Sequence, residues 1–388
     1  MKALCWYGKR DVRIEEVAEP TIINPRDAIV AVSSAGICGS DLQIWNGRTP
    51  SMRAGDILGH EFMGEVVEIG PEVHKVQRGD RVVVPYPISC GGCWHCKREE
   101  WSLCDNTNPN AWMAEKLFGY SPAAIYGSSH VLGGYAGGQA QYVRVPFADV
   151  GCLKIERDLD DEQVLLLADT LPTAYMAVEQ AGIQPDDSVL VWGAGPIGQL
   201  AVSCARLFEP RVLIAIDTVP LRLQMARDYG GAQVIDESLG RKAVREVIEE
   251  LTGGRGPSVV IAAASIESNG HGVGPRLEEH ENGFETGLPS TLWDAIRACQ
   301  KGGRVSIPGS YVSSVEKIPL GAAASKSLSF KMGHAHVHRY MRPLLERIEK
   351  GELDSSFVVT HKMVLSDAPV AYELFRQVDG CVKVLLEP

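Results

Sequence analysis

The sequence lacks the features that mark membrane, fibrous and nucleic-acid-binding proteins. Its longest apolar runs, such as 189–192 and 259–264, are far shorter than the ~20 residues of a membrane-spanning helix. It has no internal repeat, and its 38 Lys and Arg are outnumbered by 49 Asp and Glu, which gives a formal net charge of −11. An acidic chain without a basic run is poorly suited to nucleic acid or an anionic membrane surface. We therefore expect neither as a partner.

Neither a secretion signal nor a disulfide framework is expected. Residues 1–9 are interrupted by charge too early for a secretory signal, so the sequence predicts a cytoplasmic protein. Ten cysteines in 388 residues are too sparse for the framework of a small secreted domain. Single cysteines at apolar positions, such as Cys204 and Cys381, are typical of reduced core residues. Four others are clustered in one short segment, from Cys90 to Cys104, and need another explanation.

What the sequence does contain is a change of hydrophobic pattern along the chain. A length of 388 residues exceeds what one hydrophobic core usually serves, so two domains are expected. Up to about residue 150, short β-like runs are punctuated by Gly and Pro, which favours a barrel-like all-β unit. Beyond it, helical segments alternate with buried strands at 188–192, 212–216, 259–264 and 304–307. This alternation predicts a parallel sheet, and the expected fold class is α/β.

Residues 265–289 interrupt the alternation. This long segment is rich in Gly, His and Glu and has no apolar period. We interpret it as an insertion loop. Loops of this length are often functional, and disorder is the alternative.

A glycine-rich turn follows the strand predicted at 188–192 and precedes a predicted helix. Its residues are Gly193, Ala194, Gly195, Pro196, Ile197 and Gly198. Here the glycines permit a tight turn and a close backbone approach to a pyrophosphate, which the helix N-terminus stabilises. Asp217 ends the next strand, about 20 residues after Gly198, where an acid accepts a ribose 2′-hydroxyl and repels a 2′-phosphate. The pattern favours NAD over NADP, although the nearby Arg222 could bind the 2′-phosphate of NADP. The alternative is an ordinary glycine turn that binds no dinucleotide.

The clustered cysteines have the spacing of a metal site. They are Cys90, Cys93, Cys96 and Cys104. Four thiolates at these separations can surround one tetrahedral zinc ion without any other ligand. A bacterial ferredoxin run would close with a spacing of three followed by proline, whereas the last gap here is seven and Asp105 follows. The spacing therefore favours a closed, structural zinc site over an iron–sulfur cluster or four free thiols.

A second set of ligand-type residues is dispersed along the chain. Its members are Cys38, His60, Glu61 and Asp169. A catalytic zinc needs three protein ligands and one open position. Taken singly, however, a Cys is more often a core residue, and a His is more often a satisfied polar residue. Spacing alone does not assemble this set.

Motifs along nearly the whole chain resemble those of the medium-chain, zinc-containing alcohol dehydrogenases. They are Gly36-Ile37-Cys38-Gly39-Ser40-Asp41 and Gly59-His60-Glu61-x2-Gly64-x5-Gly70-x2-Val73, followed in the family's order by the four-cysteine loop and the glycine turn. The resemblance implies that Cys38 and His60 bind a catalytic zinc. It implies that Glu61 corresponds to an acid able to enter or leave the zinc shell. Asp169 stands where many members have a Cys as the third ligand.

An Asp at this place and the insertion at 265–289 resemble the glutathione-independent formaldehyde dehydrogenase branch. In that branch the insertion resembles a segment over the adenine side of the cofactor, which would hold NAD tightly and permit aldehyde dismutation. The implied activity is zinc-assisted hydride transfer from a small alcohol or hydrated aldehyde to NAD, with Ser40 accepting the proton. The alternatives are a broader alcohol or polyol dehydrogenase, a zinc-free medium-chain reductase, or a non-catalytic dinucleotide-binding sensor.

The resemblance also implies a domain arrangement and an assembly. A GroES-like catalytic domain is expected over 1–155 and a doubly wound Rossmann domain over 156–324, with a segment at 325–388 returning to the catalytic domain. Two zinc ions per subunit are expected, in a homodimer or homotetramer.

One position departs from the family pattern. Many members have a His five residues after the zinc-binding Cys, at the end of a proton relay, whereas this chain has Gln43. Glutamine has no usable pKa near neutrality, so protons must leave by another route. Three alternating histidines, which would share one face of an extended segment, form either a second relay or an incidental polar face: His334, His336 and His338. Candidate pocket aromatics are Trp45, Tyr86 and Trp112.

Overall fold

The computed structural model of the protein describes residues 1–156, 158–264, 290–308, 318–378 and 380–388. The insertion predicted at 265–289 lies outside the described residues. The chain divides into two compact units, one formed by Met1–Pro172 with Ala335–Pro388 and the other by Thr173–His334. No helix within the described ranges is both long and apolar enough to cross a membrane.

The order of elements follows the predicted change from a β-rich part to alternating strands and helices. The strands are β1 (Lys2–Gly8), β2 (Asp11–Glu16), β3 (Ala28–Ile37), β4 (Asp56–Ile57), β5 (Glu61–Ile69), β6 (Arg81–Val84), β7 (Pro87–Ile88), β8 (Ala124–Ile125), β9 (Tyr142–Val145), β10 (Leu153–Lys154), β11 (Ser188–Trp192), β12 (Val212–Asp217), β13 (Gln233–Asp236), β14 (Val259–Ala262), β15 (Arg304–Ile307), β16 (Ser329–Met332), β17 (His361–Val364) and β18 (Val384–Glu387). The α-helices are α1 (Gly39–Trp45), α2 (Ala111–Phe118), α3 (Ala148–Gly151), α4 (Asp161–Val164), α5 (Thr170–Ala181), α6 (Pro196–Arg206), α7 (Pro220–Asp228), α8 (Arg241–Leu251), α9 (Ser290–Ala298), α10 (Leu320–Ser325), α11 (Val337–Glu349) and α12 (Ala368–Gln377).

The first unit is built on a sheet of order β10-β6-β5-β3-β18-β17, with β9 also pairing with β3. β3 is central, antiparallel to both β5 and β18. One face covers an apolar core that includes Val30, Phe62 and Val84, all fully buried. A second core, with Leu4, Trp45 and other residues, packs α12 against β18. The C-terminal strands therefore complete the same sheet that the N-terminal strands begin.

The second unit contains a six-stranded sheet of order β13-β12-β11-β14-β15-β16, and every neighbouring pair is parallel. The strands β11 and β14 are buried along their whole length, as expected for a sheet covered by helices on both faces. This is the doubly wound order, whose switch point lies at the carboxyl end of β11. The predicted α/β class is confirmed.

Two details differ from the sequence expectation. The first unit extends to residue 172 and resumes at 335, whereas the predicted boundaries were 155/156 and 324/325. The sequence pattern over 163–168 predicts a helix, whereas the structure has the short α4, started by a capping box at Asp160, and then a 3-10 turn over Leu165–Ala168. This turn packs on β3, β5 and β6, so the segment before Asp169 belongs with the first unit.

Candidate metal and cofactor sites

The four clustered cysteines converge in a loop of the first unit. Their sulfur atoms lie within 4.8 Å of one another, and all ten cysteines of the chain are free. The Sγ atoms of Cys93 and Cys104 are 3.9 Å apart. A tetrahedral site with zinc–sulfur bonds of about 2.3 Å places its sulfur atoms about 3.8 Å apart. The loop thus has the donor type, number and spacing that zinc requires.

Backbone amides around this loop favour thiolate sulfur. The Cys90 amide donates to Cys104 Sγ at 3.3 Å, and the Cys96 amide donates to Cys93 Sγ at 3.4 Å. The Cys96 thiol donates a hydrogen bond to Cys104, which lowers the pKa of Cys104 to about 5 and raises that of Cys96; nearby amides add to the lowering at Cys104, and burial opposes it. A deprotonated sulfur is the form that binds a metal.

The dispersed residues are brought together by the pairing of β18, β3 and β5. Cys38 directly follows β3 and His60 directly precedes β5, and Gly36 lies opposite Glu61 in the antiparallel register. Asp169 ends the 3-10 turn that packs on the same strands. Sheet pairing therefore places residues far apart in sequence at one edge.

At this edge the ligand-type atoms of Cys38, His60, Glu61 and Asp169 lie within 4.8 Å of one another. The Asp169 Oδ2 atom is 3.1 Å from His60 Nε2 and 3.9 Å from Cys38 Sγ. His60, Glu61 and Asp169 are buried. The set combines one sulfur, one nitrogen and carboxylate oxygens, which suits zinc in a site that keeps a position for substrate.

Asp41 orients His60, a role that the sequence prediction missed. Its Oδ1 accepts the Nδ1–H of His60 at 3.2 Å, and its Oδ2 accepts the Cys38 amide at 2.9 Å. This leaves the His60 Nε2 lone pair facing Asp169 and Cys38. Burial would lower the pKa of His60, but the charge of Asp41 and hydrogen bonds with Asp169, Asp41 and Cys38 raise it well above its usual value. The electrostatics of this edge favour a bound cation.

Lys383 is a second missed residue. It precedes β18 within the apolar run 381–386, and its ammonium pairs with Glu61 in the buried interior. A lone charge in such a run is a usable sequence signal, because buried charges require partners.

Of the remaining residues predicted at the active site, some lie beside the dispersed ligand set and others do not. Ser40 is exposed, with Oγ 3.4 Å from His60 Nε2, and Gln43 is half-buried on α1. Tyr86 stacks edge-on against His60 with ring centres 6.0 Å apart. Burial and the Asp169 charge raise its pKa well above the usual value, so its hydroxyl stays protonated. Trp45 belongs to the apolar core, whereas Trp112 is exposed on α2, so neither lines this edge.

The alternating histidines do not form an extended face. A helix, α11, begins at Val337, so the segment turns before His338. His336 Nδ1 hydrogen bonds with Ser102 Oγ at 2.9 Å, and His338 stacks on Trp101 with ring centres 4.9 Å apart. These residues attach α11 to the four-cysteine loop rather than forming a relay with one another.

The glycine turn joins β11 to α6 in the second unit, as predicted. A Cβ at Gly198 would lie 1.9 Å from the Gly193 carbonyl oxygen, so helix and turn pack too closely for any side chain. A Cβ at Gly195 would have only Arg222 Nη1 within 4 Å, at 3.9 Å. The backbone at Gly195 therefore has room for a ligand. This open space at a helix N-terminus fits a pyrophosphate.

Asp217 ends β12 beside this turn. Its Oδ2 accepts the Ala194 amide at 2.7 Å, and its Oδ1 accepts the amides of Thr218 and Val219. A carboxylate has about four lone-pair sites, so Asp217 can still accept a ribose hydroxyl. Arg222 Nη1 lies 3.8 Å from Asp217 Oδ2 and partly offsets its charge. The arrangement fits a dinucleotide.

Comparisons with known proteins identify the family of the chain. Residues 24–157 match the alcohol dehydrogenase GroES-like domain. A zinc-type alcohol dehydrogenase-like protein of Schizosaccharomyces pombe is 36% identical over 99% of this chain and 90% of its own length. The formaldehyde dismutase of Pseudomonas putida is 34% identical over 100% of this chain and 97% of its own. The structure of an alcohol dehydrogenase from Thermus sp. ATN1 matches with a TM-score of 0.83 at 33% identity, covering 100% of this chain and 99% of the other.

Each of these relatives is similar to this chain over nearly its whole length, and their family implies zinc and a nicotinamide dinucleotide. The chain is an alcohol dehydrogenase-like oxidoreductase and belongs to the zinc-containing, medium-chain alcohol dehydrogenase family.

Proposed function

We propose that this protein is an NAD-linked dehydrogenase with two zinc ions per subunit that oxidises a small hydrated aldehyde, with formaldehyde as the leading substrate. The observation that carries the proposal is the position of Asp169, whose carboxylate meets Cys38 and His60 at the edge of the sheet. Similarity to a formaldehyde dismutase supports the substrate class. A carboxylate ligand keeps the negative charge of a thiolate but is a harder donor.

Cys38, His60 and Asp169 would hold the catalytic zinc, and Cys90, Cys93, Cys96 and Cys104 would hold the structural one. When bound, the catalytic ion supplies a Lewis acid that increases the acidity of a substrate hydroxyl. Asp41 fixes the tautomer and orientation of His60. Ser40 would receive the substrate proton and pass its own to water; its exposure and its Oγ, 3.4 Å from His60 Nε2, support this role. Gln43 does not titrate and takes no part in this transfer.

NAD would bind at the turn formed by Gly193, Gly195, Pro196, Ile197 and Gly198, with Asp217 accepting a ribose hydroxyl. The charge of Asp217 opposes a 2′-phosphate, whereas Arg222 attracts one. We expect Asp217→Asn, which keeps the shape and removes the charge, to reduce the NAD-to-NADP ratio of kcat/KM by about tenfold, or about 1.4 kcal/mol. A higher kcat/KM with NADP in the wild-type protein would contradict the assignment of Asp217.

The substrate is tested with formaldehyde and a panel of primary alcohols, secondary alcohols and polyols, with metal content measured on the same sample. We expect the highest kcat/KM with formaldehyde and one NADH formed per formate. Equal amounts of methanol and formate without added NAD would indicate dismutation, in which one aldehyde is oxidised and a second is reduced. A preference for a longer alcohol would contradict the formaldehyde proposal.

A broader alcohol or polyol dehydrogenase is the second candidate. The similarity to the zinc-type alcohol dehydrogenase-like protein of Schizosaccharomyces pombe favours it. Oxidation of the alcohol panel without preference for formaldehyde would select it. Binding of NADH without turnover of any substrate would instead select the non-catalytic sensor.

We also propose a cytoplasmic homodimer or homotetramer, in line with the family resemblance. Light scattering after size exclusion measures the assembly, and fractionation of the source cells measures the location. A monomer, or recovery outside the cytoplasm, would contradict this part.

A further inference from the structure

A fully buried ion pair lies beside the dispersed ligand set. The Lys383 side chain is 1% exposed and that of Glu61 is 0% exposed. The Lys383 ammonium donates to Glu61 Oε2 and lies 3.3 Å from Thr170 Oγ1. The Thr170 hydroxyl donates to Glu61 Oε1 at 2.6 Å. Both carboxylate oxygens of Glu61 are therefore engaged on the side of Lys383 and Thr170.

The same carboxylate belongs to the ligand set. One of its oxygens lies within 4.8 Å of the donor atoms of Cys38, His60 and Asp169. The position of Glu61 is also built into the sheet, because a Cβ at Gly36 would lie 2.3 Å from Glu61 Oε2. Glu61 thus stands between two cationic partners, the ammonium of Lys383 and a metal ion held by the other three residues.

The charges of the buried groups decide between these partners. The Cys38 thiolate, the carboxylates of Glu61 and Asp169, and the buried Asp41 behind His60 sum to four negative charges. A divalent cation compensates two of them, and Lys383 supplies one further positive charge directly at Glu61. A buried charge without compensation is strongly unfavourable. With Lys383 in place, Glu61 is neutralised where it stands and needs no contact with the metal.

We propose that Lys383 is a positioning residue that holds Glu61 off the catalytic metal and so keeps the fourth coordination position open for substrate. The inference rests on the metal site proposed above. Thr170 supports the same position of Glu61 through the second carboxylate oxygen. Without the ammonium, the Glu61 carboxylate turns to the metal and competes with substrate for the fourth position.

The test uses the full-length protein loaded with cobalt(II), titrated with imidazole as a neutral probe of an open coordination position. The visible difference spectrum reports only the site that imidazole can enter. We expect Lys383→Met to change the cobalt spectrum and raise the imidazole dissociation constant at least about tenfold. Lys383→Arg, which restores the charge, should return both towards wild type. Lys383→Met combined with Glu61→Gln should also restore imidazole binding, because a neutral amide no longer competes.

A matched control is Lys154→Met, which removes the lysine that pairs with the buried Asp80 at 2.7 Å, outside the ligand set. It should leave the cobalt spectrum and imidazole binding unchanged. If Lys383→Met does not fold, Thr170→Val replaces it. That variant keeps the ammonium, loosens Glu61, and should shift the dissociation constant in the same direction by a smaller factor.

Unchanged imidazole binding in a folded, cobalt-loaded Lys383→Met or Thr170→Val protein would overturn the inference. A change that Glu61→Gln does not reverse would also overturn it, because Glu61 would not be the competing group. In the wild-type protein, imidazole should produce a difference spectrum that Cys38→Ser abolishes. If the wild type gives no such spectrum, or if Cys38→Ser leaves it unchanged, the proposed metal site is wrong as well. The two failures are therefore distinguishable.

Discussion

The two metal-ligand sets of the first unit differ in how the chain assembles them. Cys90, Cys93, Cys96 and Cys104 are close together in the sequence and lie in one loop. Cys38 and Asp169 are separated by 131 positions and meet only because β3 and β5 pair and a 3-10 turn packs on them. A local set is readable from spacing, whereas a dispersed set depends on the whole sheet.

The sets also differ in what surrounds the donor atoms. The four-cysteine loop offers four sulfur donors, with backbone amides aimed at them. The dispersed set is backed by charged side chains, Asp41 behind His60 and Lys383 behind Glu61. The first arrangement suits a closed site that stabilises the fold, and the second suits an open site that binds substrate. The following variants separate these roles.

The largest effect on stability is expected for Cys93→Ser. Binding of zinc to a structural site contributes directly to folding, so the free energy of unfolding should fall by about 5 kcal/mol or more. One metal equivalent should be lost, while the kcat of the remaining folded protein should change little. Denaturant unfolding and metal analysis measure the two effects. Cys152→Ser, at a partly buried cysteine outside both sets, is the control. Equal destabilisation by both variants would contradict a structural metal in the loop.

Cys38→Ser and His60→Ala should have the reverse pattern. Each removes a ligand of the proposed catalytic site, so kcat/KM should fall about a thousandfold or more, or about 4 kcal/mol. The far-ultraviolet circular dichroism spectrum should be unchanged and the four-cysteine metal retained. Steady-state kinetics and metal analysis check this expectation. Substantial activity in either variant would show that the dispersed set does not carry the chemistry.

Asp41→Asn should have an intermediate effect on the dispersed set. The amide keeps the shape but orients His60 less strongly, which should lower catalytic-metal affinity by about 10–100-fold. Competition with a chelator measures the affinity. The control is Asp56→Asn, since Asp56 accepts from His130 at 3.1 Å in a similar pair outside both ligand sets. A loss of affinity in both variants would contradict the specific role of Asp41.

The smallest expected effect is a loss of stability at acidic pH, caused by His338 next to the four-cysteine loop. His338 is buried on Trp101, and neither ring nitrogen has a hydrogen-bond partner among the residues that the structure describes. Burial lowers the pKa of His338 from 6.5 to about 3. Because the folded pKa lies below the unfolded one, the unfolded state binds the proton first, and stability is lost as pH falls below about 6.5. Between pH 7 and pH 5 the loss should be about 2 kcal/mol.

Unfolding midpoints measured from pH 7 to pH 5 check this prediction. His338→Phe keeps an aromatic ring against Trp101. Its loss of stability between pH 7 and pH 5 should be smaller than that of the wild type by about 2 kcal/mol. His74→Gln, at an exposed histidine, should leave it unchanged. An identical pH dependence in wild type and His338→Phe would show that another group causes the acid sensitivity.

Local patterns in the sequence predicted the parts of this molecule that short segments determine. The glycine turn follows β11 as expected, and the spacing from Cys90 to Cys104 indicated a loop whose sulfur atoms do converge. The roles of Asp41 and Lys383 were not predicted. Lys383 pairs with Glu61 across 322 positions, a contact created when β18 joins β3. Which strands pair depends on the packing of the whole unit, and no local period encodes it.

The same limit applies to the boundaries and the alternating histidines. The segment after residue 155 has helical spacing, yet its 3-10 turn packs on β5 and belongs with the first unit. The spacing of His336 and His338 would suit one strand face, but α11 begins between them. In both cases tertiary packing overrides a short local pattern.

The rate of metal release from the wild-type protein tests the contrast between the two sets most directly. Zinc released to an excess of a coloured chelator should total two equivalents per chain. One equivalent should leave quickly from the open, dispersed set, and one should leave slowly from the closed four-cysteine loop. In Cys38→Ser only the slow equivalent should remain, and in Cys93→Ser only the fast one. A total of one equivalent or less, or two equivalents leaving in a single phase, would contradict the account.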